Sequence, residues 1–387
     1  MRWSSGTACG IFRPTTIMIT NTCKNVRESD TATGAATAAA VFRPEVFVGI
    51  DAADLRQVVT FIVAGESPKP AQGMSRETLV KRIAQLLKDG FRAHCVYESG
   101  PTGFALAREL IALGADCLVV RARSLERHGR RRKNDKRDSR QLALDLALHC
   151  AGRTGLLFPV RIPTPEEELH RLPAREREAL SDARHQILRS ARGRALALGY
   201  RLPKEWWRPR VLPKLVPDLP PTLARLLQRA AASAAAIKEQ LDAVEAEIIA
   251  EAPPAPVGVG AITAGVLDRE VLDWHRFKSG KKAGSFIGLS PSEDSTGNRW
   301  QLGPVDKHGS PRLRFWCVEA AWRLLKFQPN YRGVIWARDK LREANTHRGK
   351  QISVALARRF FVDWWRVRTG RITAAELGFV FKPATSR

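Results

Sequence analysis

Cysteine is scarce and scattered: Cys9, Cys23, Cys95, Cys117, Cys150 and Cys317 are the only six in 387 residues, and no two form a C-x-x-C pair. That spacing excludes a paired-cysteine zinc site and a disulfide framework, and it fits a reducing, cytoplasmic setting. No apolar run approaches the roughly 20 residues needed to span a bilayer, and the basic residues are spread along the chain instead of lying on one amphipathic helix, so no membrane partner is expected. Residues 1–44 lack the compact apolar core and small-residue cleavage site of a secretory signal. Rich in Thr, Ala and Ser, they read as a disordered extension, with Met18 as an alternative initiator. Acidic residues are in short supply too: Asp plus Glu number 39 against 64 Lys plus Arg, for a formal charge of +25. A folded chain with that excess calls for a polyanion, and nucleic acid is the leading candidate.

The length implies two or three domains, each able to bury a core. Val46 to Asp51 and Val58 to Val63 are short β-rich apolar runs joined by a polar link, which suits an antiparallel hairpin. Leu79, Val80, Ile83, Leu86 and Leu87 fall at helical spacing, with Ser75 as N-cap and Gly90 as the stop. A strand over 93–98, a helix over 102–113, a strand over 116–120 and a helix from near Asn134 to about His149 complete a mixed α/β domain over 45–155. Residues 156–252 read as a long helical, coiled-coil region. One helix covers 164–200, and a second covers 222–251 with an apolar stripe from Leu223 to Ile248. That stripe serves either an intramolecular pair with 164–200 or a partner helix. Pro253-Pro254-Ala255-Pro256 breaks the second helix and opens a small, mainly helical domain over 253–387.

Four carboxylates stand out. Asp51 and Glu98 each end a strand, and Asp135 and Asp138 lie three apart at a helix start, so the last two share a face. Gathered together they would repel one another unless a divalent cation neutralised them, and Mg²⁺ favours oxygen ligands. In the C-terminal domain, Gly258 and Gly260 precede a helix and either form an ordinary tight turn or leave backbone N–H groups able to hold a phosphate, as in helix-hairpin-helix DNA binders.

The strings Val48-Gly49-Ile50-Asp51, Tyr97-Glu98-Ser99-Gly100-Pro101-Thr102-Gly103 and Lys133-Asn134-Asp135-Lys136-Arg137-Asp138-Ser139-Arg140 resemble the N-terminal domain of the DEDD insertion-sequence transposases. Phe286-Ile287-Gly288-Leu289-Ser290-Pro291-Ser292-Glu293-Asp294-Ser295-Thr296-Gly297 and Lys307-His308-Gly309 look like their C-terminal domain. The resemblance runs over about residues 45–365. It implies a RuvC-like, ribonuclease H-like first domain in which Asp51, Glu98, Asp135 and Asp138 bind metal. It also implies a serine before a glycine as the nucleophile: Ser295, or its neighbour Thr296.

A serine hydroxyl needs help to lose its proton, and the cations Arg299, Lys307, Arg312 and Arg314 are candidates to hold the scissile phosphate. The resemblance further implies an RNA-guided recombinase. It would use a structured non-coding bridge RNA, act on donor and target DNA, and assemble as a homodimer or homotetramer in which the acidic domain of one subunit meets the serine domain of another. Basic stretches that suit nucleic acid are 121–140, with Arg130, Arg131, Arg132 and Lys133 at its centre, 184–210, and 278–282 with Lys281 and Lys282. Trp206 and Trp207 are either stacking platforms or core. Two other readings need less: a junction-resolving nuclease needs the carboxylates without Ser295, and a packaging protein needs only the charge.

Overall fold

The computed structural model describes residues 43–121, 135–293 and 302–381. The described residues divide into two compact units, one ending at Val160 and the other beginning at Arg161.

The first unit is mixed α/β. Its sheet contains β1 (Glu45–Asp51), β2 (Gln57–Val63), β3 (Gln72–Met74), β4 (Arg92–Glu98) and β5 (Asp116–Val120), in the spatial order β3-β2-β1-β4-β5. The β1–β2 hairpin is antiparallel, as the polar link predicts, whereas β4 runs parallel to β1 and β5 parallel to β4. Parallel neighbours need a crossover, and α1 (Arg76–Lys88) and α2 (Ala105–Ala112) supply the two. Ser75 caps α1 by accepting from Thr78 N, and the chain turns away at Gly90, φ +86°. The third helix, α3 (Asp135–Cys150), packs on β1, β2 and β4.

Two expectations need correction. The helix predicted from Thr102 begins at Ala105, because the preceding turn places Gly103 at φ +65° and the Tyr97 hydroxyl donates to its carbonyl at 2.9 Å. The short edge strand β3 has no counterpart in the sequence reading; three residues are too few to show a period of two.

The second unit opens with α4 (Pro165–Ala197), whose start is a full capping box. Thr164 Oγ1 accepts from Glu167 N at 3.2 Å, and Glu167 Oε2 accepts from Thr164 N at 3.0 Å. It packs along α6 (Pro221–Ala250), so the intramolecular helix pair is present. The connection between them holds the one-turn α5 (Leu212–Leu215) and folds back over the pair. Trp206 is fully buried there with Leu188, Ala195, Leu202 and Leu227, so it is core, not a stacking platform. Trp207 is half-buried and meets Trp206 edge-on.

The remaining helices are α7 (Ala261–Val271), α8 (Gly280–Phe286), α9 (Pro311–Phe327), α10 (Arg332–Leu341) and α11 (Thr346–Arg368). They enclose a core rich in aromatics, including Trp274, Phe277, Tyr331, Phe360, Phe361 and Trp364. A two-stranded hairpin, β6 (Pro291–Glu293) and β7 (Leu302–Val305), lies between α8 and α9.

Among the described residues, three cysteines are buried in these cores. Cys95 and Cys117 are register partners on β4 and β5, and Cys317 lies on α9. All are free thiols, and burial pushes each up, Cys117 to about 12. No helix among the described residues is long and apolar enough to cross a membrane.

Candidate active site

Alternation along β1 sets the site. Phe47, Gly49 and Asp51 share one face of the strand, and the parallel register of Gly49 with Val96 continues that face to Glu98 on the neighbouring strand. Phe47 and Val96 pack with Leu142, Ala143 and Leu146, so this is the face that α3 covers.

Gly49 is what lets α3 come close. A Cβ there would lie 2.1 Å from the Ser139 carbonyl oxygen and 2.5 Å from Ala143 N, so the helix rests directly on strand backbone. A buried pair of hydroxyls holds it there. Ser139 Oγ lies 3.0 Å from Thr60 Oγ1 on β2 and donates to Lys136 O at 3.3 Å, within its own first turn. Gly49, Thr60 and Ser139 are positioning residues that the sequence reading passed over. A glycine in the middle of an apolar strand, two residues before a carboxylate, was the available signal.

The consequence is convergence. Asp51, from the end of β1, and Asp135 and Asp138, from the first turn of α3, each offer a carboxylate oxygen within 4.8 Å of the others. Asp51 and Asp138 are half-buried and Asp135 is exposed. Helix N-termini favour negative charge, which offsets part of the repulsion. Glu98, the fourth expected ligand, is half-buried at the end of β4 on the same sheet face and lies outside that tight set. The donors are all oxygen, close together and partly solvated, which fits Mg²⁺ in donor type and number.

The other expected groups have different surroundings. Ser295, Thr296 and Arg299 lie outside the described residues, as do Arg130, Arg131, Arg132 and Lys133. The strands on either side of 294–301 are paired, Glu293 opposite Leu302. Lys281 and Lys282 are exposed in the first turn of α8, whose cap is Ser279 Oγ accepting from Lys282 N. Lys307 is exposed with φ +58°, and Arg314 Nη1 donates to its carbonyl and to that of Ile287, 3.3 Å each. Arg314 thus braces a crossing in which Gly288 and Gly309 touch; a Cβ on Gly309 would meet Gly288 N at 2.1 Å. Arg312 is held by two carboxylates, Glu178 on α4 and the buried Glu270 on α7, the latter at 2.8 Å. Gly258 and Gly260 do precede α7, with φ +96° and +79°, and Gly258 is packed against Phe327.

Residues 256–334 match the family model described as Transposase IS116/IS110/IS902 family. Across most of its length the chain is similar to two proteins of Sinorhizobium fredii (strain NBRC 101917 / NGR234). The putative transposase y4rJ is 28% identical over 375 residues, covering 83% of this chain and 91% of that protein. The putative transposase y4qE is 27% identical over 358 residues, covering 84% and 88%. A shorter stretch, 35% of this chain and 39% of the relative, is 31% identical to the transposase for insertion sequence element IS1533 of Leptospira borgpetersenii. By these likenesses the chain is similar to the IS116/IS110/IS902 transposase family over residues 256–334 and to putative transposases over most of its length.

Proposed function

We propose that this protein is an insertion-sequence transposase that cuts and rejoins DNA by phosphoryl transfer, with a ribonuclease H-like acidic domain and a serine nucleophile. The supporting observation is the meeting of Asp51, Asp135 and Asp138 from two elements far apart in sequence, in a chain otherwise strongly basic. Asp51, Asp135 and Asp138 hold Mg²⁺, with Glu98 completing the set from the adjacent strand end. Bound there, the ion supplies Lewis-acid stabilisation of charge on the transferring phosphate.

The chain's own groups do the rest. Ser295, or Thr296 beside it, attacks the scissile phosphorus; one P–O bond forms as another breaks, and the proton that the attacking hydroxyl gives up to solvent is balanced by the one that the displaced deoxyribose oxygen takes from it. Attack by a second strand's hydroxyl reverses the step, so bond energy is conserved and no nucleotide triphosphate is required. Lys307 and Arg299 hold the phosphate; Arg312 and Arg314 are engaged with protein groups, Arg312 with Glu178 and Glu270 and Arg314 with the carbonyls of Ile287 and Lys307. A structured guide RNA and a dimeric or tetrameric assembly belong to the same reading, and the charge of +25 supports a ligand set larger than one duplex.

The test is to incubate the protein with element-end RNA, DNA and Mg²⁺ and to map any covalent protein–DNA adduct. An adduct at Ser295 or Thr296 that is absent from Ser295→Ala, together with loss of strand exchange in Asp51→Asn, is the expected result. Cleavage without an adduct would make the protein a junction-type nuclease, and no cleavage at all would leave a binding protein.

A further inference from the structure

The α4–α6 hairpin is electrically divided along its length. Its base, residues 165–182 and 239–251, carries eleven acidic residues against three arginines. Its free end, residues 183–238, carries twelve Lys or Arg against only Glu205 and Asp218. The two ends also differ in what their charges meet. At the base, carboxylates and guanidinium groups pair across elements of the same unit: Arg177 with Glu245 at 2.7 Å, Arg269 with Glu251 at 2.8 Å, and Arg312 with Glu178. At the free end, Arg189, Arg192 and Arg194 on α4 and Arg225 and Arg229 on α6 are exposed and have no acidic partner among the described residues. The free-end cations that pair among the described residues, Arg208 with Glu205 and Lys238 with Asp242, do so with a residue three or four positions away.

This end is also a built surface. Its own small core, with Trp206 buried at 0% exposure, fixes the connection against both helices. A groove of about 790 Å³ runs beside Trp207, Arg208 and Lys238. A second, of about 810 Å³, runs beside Arg194, Arg225 and Arg229 with the hydroxyls of Ser190 and Thr222. At 3.6 residues per turn, the α6 residues lining the two grooves fall on opposite flanks of that helix, so cations and hydroxyls face outward on both sides of the pair.

We propose that the free end of this hairpin is a phosphate-gripping surface for duplex DNA. The inference rests on the reading of the chain as a DNA-processing protein and assigns that reading a second binding surface, separate from the carboxylates. Unpaired guanidinium groups flanked by hydroxyls are the residue types that hold phosphate oxygens without reading sequence. A single-stranded ligand would need open aromatic faces. Here Trp206 is buried, and the Arg184 guanidinium lies over the Trp207 ring at 5.9 Å.

The experiment compares the full-length chain with a variant carrying Arg189→Gln, Arg192→Gln, Arg225→Gln and Arg229→Gln, and with its counterpart carrying Lys at the same four positions. Binding to a duplex of arbitrary sequence is followed by fluorescence anisotropy from about 0.05 to about 0.3 M salt. The Gln variant should lose roughly tenfold or more in affinity, and its slope of log K against log salt should shrink by about 3 to 4, near 0.9 for each phosphate that is no longer neutralised. The Lys variant should keep both values, and melting temperatures of all three should agree, since the side chains are exposed. Unchanged affinity and slope in the Gln variant, with the wild type binding normally, would overturn the assignment and leave the transposase reading intact. So would a loss confined to RNA, or a change in sedimenting mass without a change in DNA binding, which would mark a surface for a second copy. A wild type that binds no duplex at any salt would remove the transposase reading itself.

Discussion

The main-chain carbonyl oxygen of Ser139 lies 2.1 Å from the point where a side chain on Gly49 would begin. Nothing at that approach is a flexible side-chain end that could swing aside. Replacing Gly49 with alanine must therefore lift α3 off β1. Overpacking of this kind costs about 1–3 kcal/mol. The first turn of α3 carries two of the three clustered carboxylates, so Gly49→Ala should both lower the melting temperature and weaken Mg²⁺-dependent strand transfer. A variant that melts lower but transfers strands normally would separate the packing from the site.

The carboxylates themselves predict a crossed result. At 4.8 Å or less, each like-charge pair repels by about 0.9 kcal/mol even at the dielectric of water. The favourable helix-end effect on Asp138 is about 0.5 kcal/mol. Repulsion from two neighbours wins, so Asp138→Asn should melt at a higher temperature than wild type in chelator. Adding Mg²⁺ should raise the wild-type melting temperature by ligand linkage and leave the variant nearly unmoved. Equal Mg²⁺ responses would count against the metal site.

Glu270 anchors the base of the hairpin. It is 6% exposed, accepts from Arg312 at 2.8 Å and Arg175 at 3.4 Å, and its carbonyl accepts from Arg171 at 3.2 Å. Neutralising it leaves those guanidinium groups short of one counter-charge. Glu270→Gln should destabilise the second unit by about 3 kcal/mol, the low end for a broken buried pair because the arginines are partly solvated. Urea unfolding followed by tryptophan fluorescence reads this; a shift under about 1 kcal/mol would show that solvent, not Glu270, balances the cluster.

Alkaline pH should destabilise the second unit through Tyr331. Its hydroxyl donates to Asp363 Oδ2 at 2.8 Å in a buried site, and burial, reinforced by the Asp363 charge, raises it well above the ordinary tyrosine value. An unfolded tyrosine ionises near 10. The stability from this group is whole below that pH and is lost as pH climbs from there through the folded-state value. Tyr331→Phe should start less stable at neutral pH, by about 1–3 kcal/mol, yet fall less between about pH 9 and pH 11. Melting curves across that range decide it, and parallel wild-type and variant curves would sink the assignment.

Much of the first unit was legible because its signals are local. Ser75 and Gly90 bound α1, the apolar run of β1 ends on Asp51, and the three-residue spacing of Asp135 and Asp138 needs only helix geometry. What was not legible depends on approach between distant segments. That Gly49 lies directly under the helix backbone, that Ser139 bonds Thr60, and that Glu98 stands apart from the tight trio while sharing its sheet face are facts of packing. Trp206 illustrates the same limit. Its place among prolines and arginines left it between a stacking platform and core, and only the fold of the connection over the helix pair, which encloses the ring, decides for core. Arg312 reads as a phosphate ligand by charge alone, but Glu178 and Glu270, 134 and 42 residues away, already engage it.

The shielded thiols give each half of the molecule its own chemical clock. Alkylating reagents require an accessible thiolate. Cys95 and Cys117 can react only when the cover of α1 and α2 on their face of the sheet opens, and Cys317 only when the helical core admits solvent, while Cys150 on the surface reacts at once and calibrates the reagent. Timed labelling followed by peptide mass analysis would therefore report the breathing of the two units separately, in one tube and without added probes.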